Sequence, residues 1–227
     1  MRIETRHTPS FGVARLELAG EEPVHAEPGA MLATSYGVTV VARAQGGLVK
    51  SLARVALGGE SFSLSTFTAP DAGGWVDVVP TLPGDLHVVE LDGSTGWCIT
   101  KGCWLASAVG VELDTRWGGL KSLLGGEGGF LVHASGTGQV VLCCYGALDV
   151  VTLTDGEYVT VDTGHVVAYA DSVQSRIRPL GQGMMQSMRS GEGLVFDFAG
   201  PGQVLTQTRN PRGLAGWLRA HGSDAGG

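Results

Sequence analysis

Charge is scarce in this chain. Asp, Glu, Lys and Arg make up 16% of its 227 residues, against roughly 25% in an average soluble protein. Lysine is rarer still: Lys50, Lys101 and Lys121 are the only three, and 15 basic residues face 22 acidic ones for a net charge of −7. A domain that grips a nucleic-acid backbone needs a basic patch, so no nucleic-acid partner is expected. Aromatics are 7%, and no apolar run approaches the ~20 residues of a membrane-spanning helix. The opening MRIETRHTPSFGVARLELAG is polar and alternating and has no signal-peptide core. That points to a cytoplasmic protein with free thiols at Cys98, Cys103, Cys143 and Cys144, read as small buried apolar side chains.

Catalytic signatures are missing as well. There is no G-x-S-x-G elbow, no S-x-x-K, no phosphate-binding G-x-x-x-x-G-K-[ST] and no C-x-x-C pair. The G-x-G pieces at 136–138 and 200–202 precede strands, not helices, so the dinucleotide fingerprint fails. The six histidines contain no close H-x-H pair, and His87, His133 and His165 fall in expected strands at non-equivalent places. They are the first ligands to test if a metal is bound, but the expectation is no metal, no cofactor and no catalytic residue.

Glycine is what the chain has in abundance, with 37 residues, more than twice the usual ~7%. It lacks the three-residue period of collagen and falls instead at spaced turns. Three segments recur: LGGESFSLS at 57–65, LGGEGGFLV at 124–132 and RSGEGLVFD at 189–197. Each is followed by a glycine turn and an apolar strand, GGWVDVVP at 73–80, GTGQVVLCC at 136–144 and GPGQVLTQT at 200–208. Upstream lie PGAMLAT at 28–34, KGCWLAS at 101–107 and TGHVVAY at 163–169. Upstream again come GEEPVHAEPG at 20–29, GDLHVVELDG at 84–93 and GEYVTVDTG at 156–164. Four landmarks in one order, three times, predict one compact body, 1–227, of three pseudo-repeats, approximately 1–90, 91–155 and 156–227. The repeated carboxylates Glu60, Glu127 and Glu192 are the polar feature placed by the repeat. They would either ring a pseudo-threefold axis as a cation or ligand site, or cap their own turns, and the second reading is preferred.

Local pattern says strand. IETR at 3–6, VARLEL at 13–18, SFSLSTF at 61–67, WVDVV at 75–79, LHVVEL at 86–91 and YVTVD at 158–162 alternate or are β-branched. QVVLCCYG at 139–146 and ALDVVTL at 147–153 read as more buried strands. Turn signals every 8–12 residues suggest a sandwich or barrel. Short helices are expected over 46–56 and 117–124, and a C-terminal helix over 209–222 after Pro211. Gly58-Gly59 and Gly73-Gly74 suit tight corners, and Thr208-Arg209-Asn210 is expected to lock the C-terminus, with the arginine on a carboxylate.

These landmarks resemble one known family. P-G-A-M at 28–31, G-G-E-S-F with F-T-A within 58–69, L-P-G-D at 82–85, G-C-W-L-A-S at 102–107, Y-G-A-L at 145–148 and Q-T-R-N at 207–210 look like the bacterial branch of the altered-inheritance-of-mitochondria protein 24 family, a domain of unknown function, over about residues 1–212. The resemblance implies an all-β fold like that of the tryptophan RNA-binding attenuation protein, with β-sandwich units of double-stranded β-helix type repeated three times. It carries over no catalytic residue. The mitochondrial relatives are linked to inner-membrane organisation, and the lack of a transit peptide here argues against moving that role across directly.

The reading that follows is a non-enzymatic oligomeric scaffold or binding protein, tied to a membrane or to stress physiology, with itself as first partner. Open strand edges, scarce charge and a mean hydropathy of +0.16 favour self-association, as a trimer with a dimer as runner-up. A peripheral membrane or protein partner is the further expectation, with the ligand unknown. The alternatives are a small-molecule or metal-dependent cupin-like activity, and RNA binding by fold analogy alone.

Overall fold

Alternation and β-branching produce a chain of short strands. The computed structural model describes residues 1–44, 63–116, 131–180 and 193–222. Its strands are β1 (Arg2–Arg6), β2 (Val13–Leu18), β3 (Pro23–Ala26), β4 (Met31–Thr34), β5 (Thr39–Ala44), β6 (Ser63–Thr68), β7 (Gly74–Val78), β8 (Leu86–Asp92), β9 (Trp97–Thr100), β10 (Trp104–Ala108), β11 (Val111–Arg116), β12 (Leu131–Cys143), β13 (Leu148–Leu153), β14 (Tyr158–Asp162), β15 (Val166–Ala170), β16 (Gln174–Pro179), β17 (Leu194–Ala199) and β18 (Gly202–Gln207). Among the described residues the one α-helix is α1 (Pro211–His221). The chain is all-β in class. The expected helices over 46–56 and 117–124, the Gly58-Gly59 corner, and Glu60, Glu127 and Glu192 lie outside the described residues.

One pairing scheme occurs in three successive sets of strands. Antiparallel pairs β2·β7, β8·β12 and β13·β18 come first in each set. The next pairs are β4·β7, β10·β12 and β15·β18, each interrupted after its first residue by a register shift that skips Leu32, Leu105 or Val167. Then come β3·β6, β9·β12 and β14·β17, and finally β5·β6, β11·β12 and β16·β17. A skipped residue at the same place in all three sets is a β-bulge, which turns the strand and re-aims one side chain.

The sets are joined edge to edge. β3 pairs with β10, Ala26 opposite Ala106, and β9 pairs with β15, Ile99 opposite Ala168. Each junction makes a sheet shared by two sets, and so the cores interlock. Val140 and Leu142 of β12 sit in the core of the second set, while Val141 and Cys143 on the opposite face complete that of the first. Val204 and Leu205 of β18 divide in the same way between third and second cores. Burial on both faces is why QVVLCC reads as a continuous apolar run and not as an alternation.

Two sequence expectations change. SGTG at 135–138 reads as a turn, yet β12 runs unbroken through it. Gly136 (φ +90°) and Gly138 (φ +125°) hold the strand in backbone that other residues rarely adopt. The strand bends there, and its first half pairs with β9 and β11 while its second pairs with β8 and β10. His165 is not in a strand: it closes a single 3-10 turn, Thr163–His165.

Candidate functional site

The histidines expected to matter take separate partners. His87 is on β8, half-buried, and burial pushes its imidazole below the usual pKa. His165 bonds through Nδ1 to the Gln207 carbonyl at 2.7 Å. His133, on β12, is buried, with Nε2 2.6 Å from Asp171 Oδ2. No group of three or more His, Cys, Asp or Glu side chains that could hold a metal occurs among the described residues.

His133, Asp171 and Cys98 form a polar cluster between the second and third sets. Antiparallel register puts Cys98 on β9 opposite both His133 and Tyr169. The Cys98 thiol donates to Asp171 Oδ1 at 3.6 Å, and the Asp171 backbone N–H donates to the Gly96 carbonyl at 2.9 Å. Imidazole Nε2 and thiol thus both meet one carboxylate. The backbone at Gly96 packs closely against the pair. A Cβ at Gly96 would stand 2.6 Å from Asp171 Oδ2 and 2.7 Å from His133 Nε2. The cluster ties the second set to the third.

A second buried charge lies on the first set. Asp77 has a side chain only 3% exposed. Arg15 donates to it through Nε at 2.8 Å and Nη2 at 2.9 Å, and Arg6 through Nη1 at 3.2 Å and Nη2 at 2.7 Å. Those bonds, Arg15's first, hold its carboxyl down at about 2. The Arg15 guanidinium also covers the Trp75 ring at 3.9 Å. Burial drives the thiols the other way: Cys103 is pushed up to about 12, Cys144 to about 11, and Cys143 well above its ordinary value. They are packing residues, as the sequence suggested.

The Thr208-Arg209-Asn210 segment does lock the C-terminus, through other atoms than expected. Thr208 Oγ1 accepts from the Ala147 N–H at 2.9 Å, the Arg209 N–H donates to the Tyr145 carbonyl, and Asn210 caps α1 by accepting from the Arg212 N–H.

The exposed edges are where the three sets differ. β4 corresponds to β10 and β15, yet among the described strands it pairs only with β7. β14 corresponds to β3 and β9, yet among the described strands it pairs only with β17. The consequence shows in exposure. Met31 and Leu32 are 49% and 54% exposed, where Trp104 and Leu105 are 2% and 0%, and Val166 and Val167 are 1% and 0%. On β14, Tyr158 stands out in solvent and Val159 and Val161 are only half-buried. The sequence placed PGAMLAT beside KGCWLAS, so the correspondence was visible. Which copy keeps a neighbour was not, because that depends on the order of strands in the folded sheets. No described helix is long and apolar enough to cross a membrane.

Comparison with known proteins agrees with the motif pattern. The family model described as "Mitochondrial biogenesis AIM24" matches residues 3–209. An uncharacterised protein of Streptococcus pyogenes serotype M6, M6_Spy0233, is 28% identical over 229 residues, covering 97% of this chain and 91% of its own length. The crystal structure of protein SPYM3_0169 from Streptococcus pyogenes superposes with a TM-score of 0.81 at 25% identity, covering 97% of this chain and 99% of that one.

Proposed function

The chain belongs to the AIM24 family, and from that membership we propose that it is a non-enzymatic scaffold or binding protein that works as a homo-oligomer, a trimer in the first instance. It is built as three tandem repeats in one body, approximately 1–90, 91–155 and 156–227, each a small β-sandwich of the double-stranded β-helix type found in the tryptophan RNA-binding attenuation protein. It acts in the cytoplasm, where it serves a membrane surface or a stress response through protein contacts and takes no nucleic acid.

One observation carries this reading. Among the described strands, two edges lie open whose counterparts elsewhere in the chain are the joints between sets. Unpaired backbone beside exposed apolar side chains is a template for another strand. The interior supports the reading in its own way. In the cluster of His133, Asp171 and Cys98, the hydrogen bonds to Asp171 tie the second set to the third.

Size-exclusion chromatography with light scattering at low micromolar concentration tests the proposal. A mass near three times 23.5 kDa is expected, and a mass near 23.5 kDa overturns it.

A further inference from the structure

Resting on the oligomeric reading above, we infer that the contact between copies is a third instance of the joint already made twice inside the chain. β4 of one copy pairs antiparallel with β14 of the next, Ala33 opposite Val161 and Thr34 opposite Thr160.

The register follows from the internal joints. Ala33, Ala106 and Ala168 are the first residues after the three bulges. Six residues beyond each stand Thr39, Glu112 and Gln174, opposite Thr68, Ser135 and Ala199. Three residues before those stand Ser65, Val132 and Phe196, whose partners on the inner side are Ala26, Ile99 and Val161. Ala26, Ile99 and Val161 therefore hold one place. Inside the chain Ala26 lies opposite Ala106 and Ile99 opposite Ala168. Val161 and Ala33 are the remaining pair, and one chain holds them at its two ends.

The bulged residues give the joint its apolar content. Leu105 packs into the core of the first set and Val167 into that of the second, each the set preceding its own. Leu32 is the third bulged residue, and the set preceding its own is the last set of another copy. There the rim of the core is Val159 and Val161, still half-buried beside Phe196. Pairing with a second copy thus buries an exposed leucine, covers two valines, and uses backbone groups that otherwise face water. The open rims β5 and β16 lack such a template, because no internal joint uses them or their counterpart β11.

One position sets this joint apart. Asp77 lies opposite Ala33, where Val141 and Leu205 lie opposite Ala106 and Ala168. Its charge is already satisfied by Arg6 and Arg15, so the face behind β4 is polar. The contact rests on the strand edge and on Met31 and Leu32. The two edges are different surfaces, so the contact is head-to-tail. Only a closed ring leaves no copy of β4 or β14 unpaired.

Paired cysteines and an edge charge test this on the full chain. Chains carrying Thr34→Cys and chains carrying Thr160→Cys, differently tagged and mixed, are expected to form a heterologous disulfide-linked pair under mild oxidation. Neither variant is expected to link to itself. Leu32→Glu is expected to drop the mass to 23.5 kDa with an unchanged circular dichroism spectrum, since Leu32 is exposed within one copy. An oligomer that survives Leu32→Glu and gives no cross-link overturns this joint and leaves the scaffold reading standing. A wild-type chain that is monomeric overturns both.

Discussion

His133 and Asp171 meet across two strand sets, imidazole Nε2 to carboxylate Oδ2 at 2.6 Å, with the first side chain buried and the second one-third exposed. The pair closes over Gly96, the residue that gives its carbonyl to the Asp171 backbone. It is a hydrogen-bonded node in the joint between the second and third sets, beside the Thr100 hydroxyl that donates to the Val166 carbonyl.

Asp171→Ala leaves a buried imidazole without its acceptor. An orphaned buried polar group costs about 1–3 kcal/mol, and in a chain of this length each kcal/mol lowers Tm by roughly 2–4 °C. Differential scanning fluorimetry is therefore expected to show a fall of several degrees. Gly96→Ala is expected to do the same from the other side, by pushing a methyl group between the two partners. An unchanged Tm in both variants would remove the structural role.

Much of this architecture is legible in the sequence, residue by residue. VARLEL and LHVVEL alternate because one face of β2 and β8 is buried, and both appear where the pattern puts them. Asn210 with Pro211 marks the start of α1 by cap and first-turn chemistry. The bend in β12 is not legible, because the glycines that make turns elsewhere here let a strand change sheets. Nor is the His133–Asp171 contact, since its members are 38 positions apart and meet only through the register of three strands. The open edges are the least legible of all. YVTVD reads as an ordinary half-buried strand, and only the sheet order shows that it ends a sheet.

Asp77 makes a pH prediction. Its carboxyl is held at about 2 against an ordinary 3.8, mainly by the Arg15 hydrogen bonds and then by Arg6. A depressed folded-state pKa gives stabilisation that is complete above the ordinary value and lost as pH falls from about 4 through 2. The shift corresponds to about 2 kcal/mol. Asp77→Asn is expected to lose about that much at pH 7 and almost nothing at pH 2, so wild-type and variant denaturation midpoints converge on acidification. Parallel curves down to pH 2 would refute the assignment.

The thiols make a kinetic prediction. Burial raises Cys103 to about 12 and Cys144 to about 11, and Cys143 rises well above its ordinary value. Reaction needs both exposure and thiolate. At pH 8 these three are expected to resist a disulfide-exchange reagent in native protein and to react fully in denaturant, with labelling paced by opening of the fold. Rapid native labelling of Cys103, identified by peptide mass, would contradict its place in the core.

Gln207 and the helix beyond it separate what holds the C-terminal end from what merely follows. The Gln207 side chain is buried, accepts the Tyr145 N–H at 2.8 Å through Oε1 and donates through Nε2 to the Gly164 carbonyl at 3.0 Å. Its counterparts are the apolar Val79 and Cys143, so here an amide replaces packing to satisfy two backbone groups from separate loops. Gln207→Leu keeps the volume and strands both groups, at about 1–3 kcal/mol each before relaxation. α1 has no buried residue, and Trp217 and Leu218 stay exposed on it. Truncation after Asn210 should therefore shift stability by no more than about 0.5 kcal/mol, the range of surface changes. Urea titrations of the two variants are expected to show a large loss for Gln207→Leu and a near-wild-type curve for the truncation. The reverse order would mean that the helix, not the amide, anchors this end of the fold.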